Sequence, residues 1–441
     1  MLLKLLTYKF DLKKLNFSFN INPVFDTGNL VTTFFFFALM PYVSPIPLGS
    51  DVQILTGFIG YIIIGILFLK DRFIVSPREF LIFILGLFFL VYINPNEPTY
   101  QFRKAIGPLY AFGVYYVAKN YKDSINFKIL DLVLLIYFAG TVIQYFAPGI
   151  FELTFERFIR ESKYYASGSR GVTSLAPEPS FLGIVCIYIL LIQDWLYARL
   201  SLQKNRFYYI RLSLGVLMII LSKSGAGYIL LFLFFVSKST VYIRKYWLLI
   251  LVIGSIGVAI VTNTNQVSGN KGLSDLIGVL KSTSPKDLLR VSSLSNRVNP
   301  VIVGVVGAIE KPLGRGSGAF TSQAAKVYID NGIDQIYPSY MRGRLLYEVS
   351  SDSVSTFGKY IFEYGIFFLI YLILILVGLK FKETGLFTVF LLLTGLLFSL
   401  PIVYPPLWLI FGLFEGKIRI NQERNSQGFT SIKTPNYYNV K

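Results

Sequence analysis

Long apolar runs, broken by short polar stretches, recur from one end of the chain to the other. They lie near 29–48, 53–70, 79–94, 104–118, 128–147, 180–197, 207–222, 225–237, 246–263, 358–379, 384–400 and 401–415. A helix needs roughly 20 predominantly apolar residues to cross a bilayer, so the pattern predicts twelve membrane-spanning helices. The runs at 225–237 and 401–415 are short, and the second contains Pro405-Pro406, so each either crosses fully or re-enters. The fold class expected is an all-α polytopic membrane protein. It has a cytoplasmic tail over 1–28, a transmembrane domain over 29–415 and a second cytoplasmic tail over 416–441.

Two connections are longer than the rest, at 148–179 and, between the ninth and tenth runs, at 264–357. A loop of about ninety residues is functional or disordered far more often than it is a plain connection. Within it, the apolar stretch Val301–Ile309 is too short to cross and suits a helix lying on the membrane surface.

Charge gives this pattern an orientation. Lys70, Arg72 and Arg78, then Lys119, Lys122 and Lys128, then Arg199, Lys204, Arg206 and Arg211 fill alternate short connections. The intervening turns at 49–52 and 400–404 carry no Lys or Arg. Basic short loops face the cytoplasm, which places both termini inside and both long loops outside. The net charge of +18 therefore reads as membrane orientation and not as a nucleic-acid surface. Composition agrees: 54% of the 441 residues are hydrophobic and 15% charged, against about a quarter charged in soluble domains. The basic N-terminus has no compact apolar core ending at a small-residue site, and reads as a retained tail. The single cysteine, Cys186, excludes an intramolecular disulfide. The lack of histidine removes the commonest general base and the commonest transition-metal ligand together.

Ionisable groups at the mouths of apolar runs carry the remaining information, because burying one there costs roughly 2.5–3.5 kcal/mol. Arg103 and Lys104 open the fourth run, Arg170 and Glu178 the sixth, and Lys223 lies in the turn after the seventh. Asp352, Lys359 and Glu363 stand at the tenth. All lie on the outer side in this orientation; Asp131, Asp194 and Arg211 lie near the inner boundary, where they can reach water. Arg170 and Glu178, bracketed by glycine and proline in Gly168–Gly183, form either a solvated boundary loop or a site whose guanidinium suits phosphate oxygens. Arg103 either snorkels or contacts ligand. Glu363 is either a paired carboxylate that fixes packing or a site residue. Asp330 and Asp334 resemble half a calcium loop and read as an ordinary turn. Arg297, Arg315, Arg342 and Arg344, interspersed with tyrosines, form a basic set in the large loop that suits an anionic, sugar-bearing substrate.

In order, these pieces are Arg103; Arg170-Gly171 with Glu178-Pro179-Ser180-Phe181; Leu221-Ser222-Lys223-Ser224-Gly225; Arg297 with Pro312-Leu313-Gly314-Arg315-Gly316-Ser317-Gly318; and Glu363-Tyr364-Gly365-Ile366. Over roughly residues 100–366 this series resembles the bacterial O-antigen polymerases (Wzy type) of the O-antigen ligase–polymerase superfamily. The resemblance implies a GT-C-like, metal-independent, inverting glycosyltransferase of the bacterial inner membrane, without a cofactor. Its substrates would be undecaprenyl-pyrophosphate-linked glycans for O-antigen or capsule, with a chain-length regulator and a flippase as partners in the same membrane. Related ligases place a histidine shortly before the Glu-x-Gly element. Here the stretch reads Ser351-Asp352-Ser353-Val354-Ser355, which favours polymerisation and makes any base there a carboxylate.

The reaction needs an activated acceptor hydroxyl and a stabilised pyrophosphate. Arg170 and Arg297, supported by Arg103 and Arg315, are expected to supply positive charge, and Glu178 or Asp352 to take the proton. Two other readings share the architecture: a lipid-linked oligosaccharide flippase or transporter, and an O-antigen ligase. A transporter would often show internal repeats, which this sequence lacks.

Overall fold

The computed structural model describes residues 27–44, 52–70, 72–92, 105–155, 158–159, 171–238, 292–337, 339–350, 355–379, 389, 392–395 and 400–415. Arg103, Lys104, Arg170, Asp352, the run at 246–263, most of that at 384–400 and nearly all of both tails lie outside them. The protein is mostly helical, and among the described residues the only β-type pairings are two isolated bridges, Val43 with Ile159 and Leu379 with Glu415.

The apolar runs become α1 (Thr27–Leu39), α2 (Leu55–Leu69), α3 (Pro77–Val91), α4 (Gly107–Asn120) and α5 (Phe127–Phe146). A short α6 (Pro148–Thr154) precedes α7 (Pro179–Arg199), α8 (Arg206–Leu221) and α9 (Gly225–Lys238). Side-chain caps mark several starts, where the first backbone N–H groups lack intrahelical partners. Asn126 Oδ1 accepts from Ile129 N–H and Asn205 Oδ1 from Tyr208 N–H. Ser76 and Glu79 form a reciprocal capping box ahead of Pro77, a residue whose fixed φ suits a first turn.

The second half of the chain adds α10 (Ser292–Glu310), α11 (Ala319–Asp330), a 3₁₀ turn (Ile333–Ile336) and α12 (Ser339–Ser350). It continues with α13 (Thr356–Tyr364), α14 (Ile366–Val377) and α15 (Pro405–Phe414). Among the described residues two helices, α5 with 20 residues and α7 with 21, are long and apolar enough to cross a membrane; several others are apolar but shorter.

The core is built around α4, α7 and α15. α15 packs against α4, α7 and α1, and α7 against α5, α8 and α9. Nearly every residue of α15 is buried, as is every residue of α4 from Gly107 to Ala118. Outward faces of the surrounding helices stay apolar: Phe58 on α2, Leu135 on α5, Phe232 on α9 and Ile373 on α14 are each more than half exposed.

The run at 358–379 is not one helix. It breaks at Gly365, whose φ of +54° falls in a region that side chains rarely adopt. Ile366 N–H donates to Pro312 O, and a Cβ on Gly365 would meet that same oxygen at 2.0 Å. The first half, α13, instead joins α10, α11 and α12 in a helical cap with its own small core of Val303, Phe320, Tyr328, Leu345 and Phe362. The stretch Val301–Ile309, expected to lie on a membrane surface, is therefore the body of α10. It packs against α13 so closely that a Cβ on Gly304 would come within 2.1 Å of Gly358 O.

The bundle has two chemically different ends. At one, Arg78 and Glu415 pair, Lys119 Nζ lies 2.6 Å from Glu79 Oε1 and 2.7 Å from Glu415 Oε1, and Arg78 donates to Tyr115 Oη at 2.8 Å. Arg211 pairs with Asp131, Arg199 with Asp123, and Tyr208 Oη donates to Asp194 at 2.9 Å. Arg78, Lys119, Arg199 and Arg211, near the expected inner boundary, thus each pair with a carboxylate, and Asp194 accepts from a hydroxyl. The other end carries the cap and the loop that leads into α7.

Candidate functional site

The loop into α7 is irregular but not superficial. Val172 to Pro177 are all buried, although no helix or strand satisfies their backbone. A buried peptide N–H without a partner is costly, so its bonds must come from elsewhere. Gln144, in the last turns of α5, supplies them. Its Oε1 accepts from Thr173 N–H at 2.9 Å and from Ser174 N–H at 2.7 Å, and its Nε2 donates to Thr173 Oγ1 at 3.1 Å. Val172 N–H donates to Leu221 O at the end of α8, and Ser174 Oγ to Tyr137 O. Ser174 takes φ +49°, and so does Lys223 in the neighbouring turn.

This clamp delivers Glu178 to the head of α7, where its backbone is extended (φ −145°, ψ 155°) and its carbonyl starts the helix. The carboxylate makes no capping bond to the helix. It accepts from Ser180 Oγ at 3.3 Å and stays half-buried, with no ion pair among the described residues. A carboxylate held on a rigid, buried support, and not consumed by a partner, is the arrangement a proton acceptor needs.

Losing the clamp has a calculable consequence. Gln144→Leu keeps the volume but leaves two buried N–H groups unpaired, at about 1–3 kcal/mol each. Faster amide exchange at Thr173 and Ser174 and a lower thermal midpoint are expected, read by hydrogen exchange and thermal unfolding in detergent; protection equal to wild type would refute the clamp.

The second cluster lies on the cap. The loop Pro312–Gly318 folds over the Glu363-Tyr364-Gly365 corner. Arg315 and Gly316 N–H both donate to Glu363 O, and Gly318 N–H donates to Glu363 Oε1 at 2.9 Å. Ser317 N–H donates to Tyr92 O, which ties the loop to the end of α3. Glu363, 1% exposed, thus acts as a structural carboxylate at the start of α11. The Arg315 guanidinium pairs with Glu310 and lies 4.8 Å over the Phe362 ring. The Asn331 amide and then Arg315 hold the Glu310 carboxyl below its usual range.

The remaining candidates are dispersed. Arg297 is half-buried in the second turn of α10. Arg342, on α12, donates to Tyr337 O and lies 3.9 Å from Asp334, so that aspartate belongs to the 3₁₀ turn's own pairing. Arg344 is on α12, with its side chain outside the described set. The structure brings Arg315 to Glu363 and leaves Glu178 on a different element, at the same end of the bundle.

Several residues at the two ends were not legible as chemistry. Gln144 was one polar residue in an apolar run. Glu79 and Glu415 went unnoticed beside the basic residues that orient the chain, although Ser76-Pro77-Arg78-Glu79 carries a capping-box signature. Tyr42, Tyr137, Tyr188 and Tyr404, behind Glu178, lie within apolar runs, where nothing marks their hydroxyls. No family model, no curated protein and no solved structure matches the chain, so its functional reading rests on its own residues.

Proposed function

We propose that the protein is a multi-pass membrane polysaccharide polymerase with about twelve crossings and a GT-C-like plan. It joins undecaprenyl-pyrophosphate-linked repeat units on the outer face of the bacterial inner membrane. The observation that carries this reading is Glu178: a carboxylate without an ion partner among the described residues, fixed by a buried loop at the end of the bundle opposite the paired basic connections. The exposed apolar faces of α2, α5, α9 and α14 support the membrane setting, since apolar surface of that extent needs covering.

In the proposed reaction the acceptor hydroxyl gives its proton to Glu178 as its oxygen bonds to the anomeric carbon of the donor glycan. The bond from that carbon to the pyrophosphate oxygen breaks with inversion, and the lipid pyrophosphate leaves with the electron pair. Arg170, with Arg297 and Arg103 in support, is assigned to the leaving group's charge, the task for which a guanidinium fork suits phosphate oxygens. Arg315 is assigned a lesser part, since it is already paired. Lipid-linked repeat units incubated with purified protein test the reading. A ladder of lengths supports it; transfer only to a lipid A core indicates a ligase, and unchanged substrate indicates transport.

The orientation is tested separately. Cys186 is buried, so introduced cysteines report with little background. Leu153→Cys, at an exposed site of α6, is expected to react with a membrane-impermeant maleimide in right-side-out vesicles. Ser201→Cys, exposed after α7, is expected to react only after permeabilisation. The reverse pattern would contradict the assignment of sides.

A further inference from the structure

Behind Glu178, four tyrosines enter the bundle core from four separate elements. Tyr42 follows α1, Tyr137 is on α5, Tyr188 on α7, and Tyr404 stands immediately before α15. These helices close a ring, because α1 packs on α5 and α15, and α7 packs on the same two. The four side chains are between 0% and 3% exposed, so no route for a bulky ligand reaches them. Among the described residues none of the four hydroxyls has a hydrogen-bond partner.

They are nonetheless neighbours. The Tyr42 and Tyr404 ring centroids are 5.8 Å apart, and those of Tyr188 and Tyr404 5.6 Å. Tyr137 interacts electrostatically with both Tyr42 and Tyr404, and Tyr42 with Glu178. The Tyr42 ring also packs 5.3 Å from Phe181, in the first turn of the helix that Glu178 heads. A Cβ on Gly395 would lie 2.7 Å from Tyr188 Oη, so the glycine is what leaves that hydroxyl uncrowded.

Each phenol offers one donor and two acceptor lone pairs, so four neighbouring, unjoined hydroxyls call for an occupant that both donates and accepts. An anion would meet the carboxylate of Glu178, and a cation would find no charged ligand within the ring itself. The closed surroundings exclude anything larger than solvent. Buried water bridging polar groups that would otherwise be unsatisfied meets every condition.

We propose that the hydroxyls of Tyr42, Tyr137, Tyr188 and Tyr404 enclose a buried cluster of ordered water that links them to one another and, through Tyr42, to the Glu178 carboxylate. The water holds the carboxylate from its buried side, making the tyrosines positioning residues. That last consequence rests on the function proposed above; the hydration does not.

The sign of a stability change separates a hydrated cluster from four idle hydroxyls. If the hydroxyls are dry, each Tyr→Phe change removes an unsatisfied group and raises the thermal midpoint. If water bridges them, each change strips a partner from the cluster and lowers the midpoint by about 2 °C or more. The proposal expects a fall for Tyr42→Phe, Tyr188→Phe and Tyr404→Phe in detergent. It also expects the shifts of Tyr42→Phe and Glu178→Gln not to add when combined, because the two groups share water. Midpoints that rise or stay unchanged in the three Phe variants overturn the proposal, and an additive pair overturns the link to Glu178. A map resolving solvent gives a second readout: density between the hydroxyls supports the cluster, and a dry centre overturns it. Neither readout involves glycan chemistry, so the proposal fails or stands independently of the polymerase reading.

Discussion

Glu178→Gln is expected to slow glycan extension by about 10²–10⁴-fold, the usual worth of a positioned general base, while leaving the fold intact. The geometry makes the two effects separable. The carboxylate is half-buried, makes no capping bond to α7 and, among the described residues, has one hydrogen bond, from Ser180 Oγ at 3.3 Å. An amide of the same shape still offers an oxygen to that hydroxyl, and no ion pair among the described residues is broken. What disappears is the proton acceptor. Initial rates on lipid-linked repeat units, measured beside the thermal midpoint, check this. A variant that extends glycans at the wild-type rate would transfer the role of base to Asp352.

Arg78→Met is expected to have the opposite profile, with a loss of stability of about 3–5 kcal/mol. Arg78, Lys119, Glu79 and Glu415 are two cations and two carboxylates in direct contact. Arg78 is 7% exposed, Glu79 2% and Glu415 5%. They join α3 and α4 to the end of α15, and Arg78 also donates to Leu374 O on α14. Removing one cation leaves a buried carboxylate uncompensated, which costs more than the pair itself contributes. The double variant Arg78→Met/Glu415→Gln restores neutrality around Lys119 and Glu79, and is expected to be more stable than the single one. Thermal unfolding in detergent measures both. An Arg78→Met midpoint equal to wild type would show that the cluster is solvated and of little consequence.

Helix positions were legible because apolar content along the chain reports burial directly. α2, α3, α5, α7 and α8 begin and end within three residues of the runs that announced them. The break at Gly365 was not legible. The apolar run continues through it, and the bend is set by Pro312–Gly318, about fifty residues earlier in the chain. The packing of α10 was not legible for the same reason: its glycines are used against α13, a contact that no local pattern reveals.

The candidate site divides in the same way. A carboxylate at the mouth of an apolar run marks itself, and Glu178 did so. Its support did not, because Gln144 acts through backbone groups 29 and 30 residues away. Arg78 was read for orientation alone, since its partner Glu415 is 337 residues distant in the chain. Tyrosine hydroxyls are invisible to a hydropathy pattern that counts the ring.

As proposed, this chain forms glycosidic bonds between lipid-linked repeat units, with Glu178 as the base. The most direct measurement is the length distribution of glycan made by the purified protein from such units, with wild type and Glu178→Gln side by side. Wild type is expected to give a ladder, and the variant single, unextended units. Identical ladders from both, or no new glycosidic bond from the wild-type protein, would contradict it.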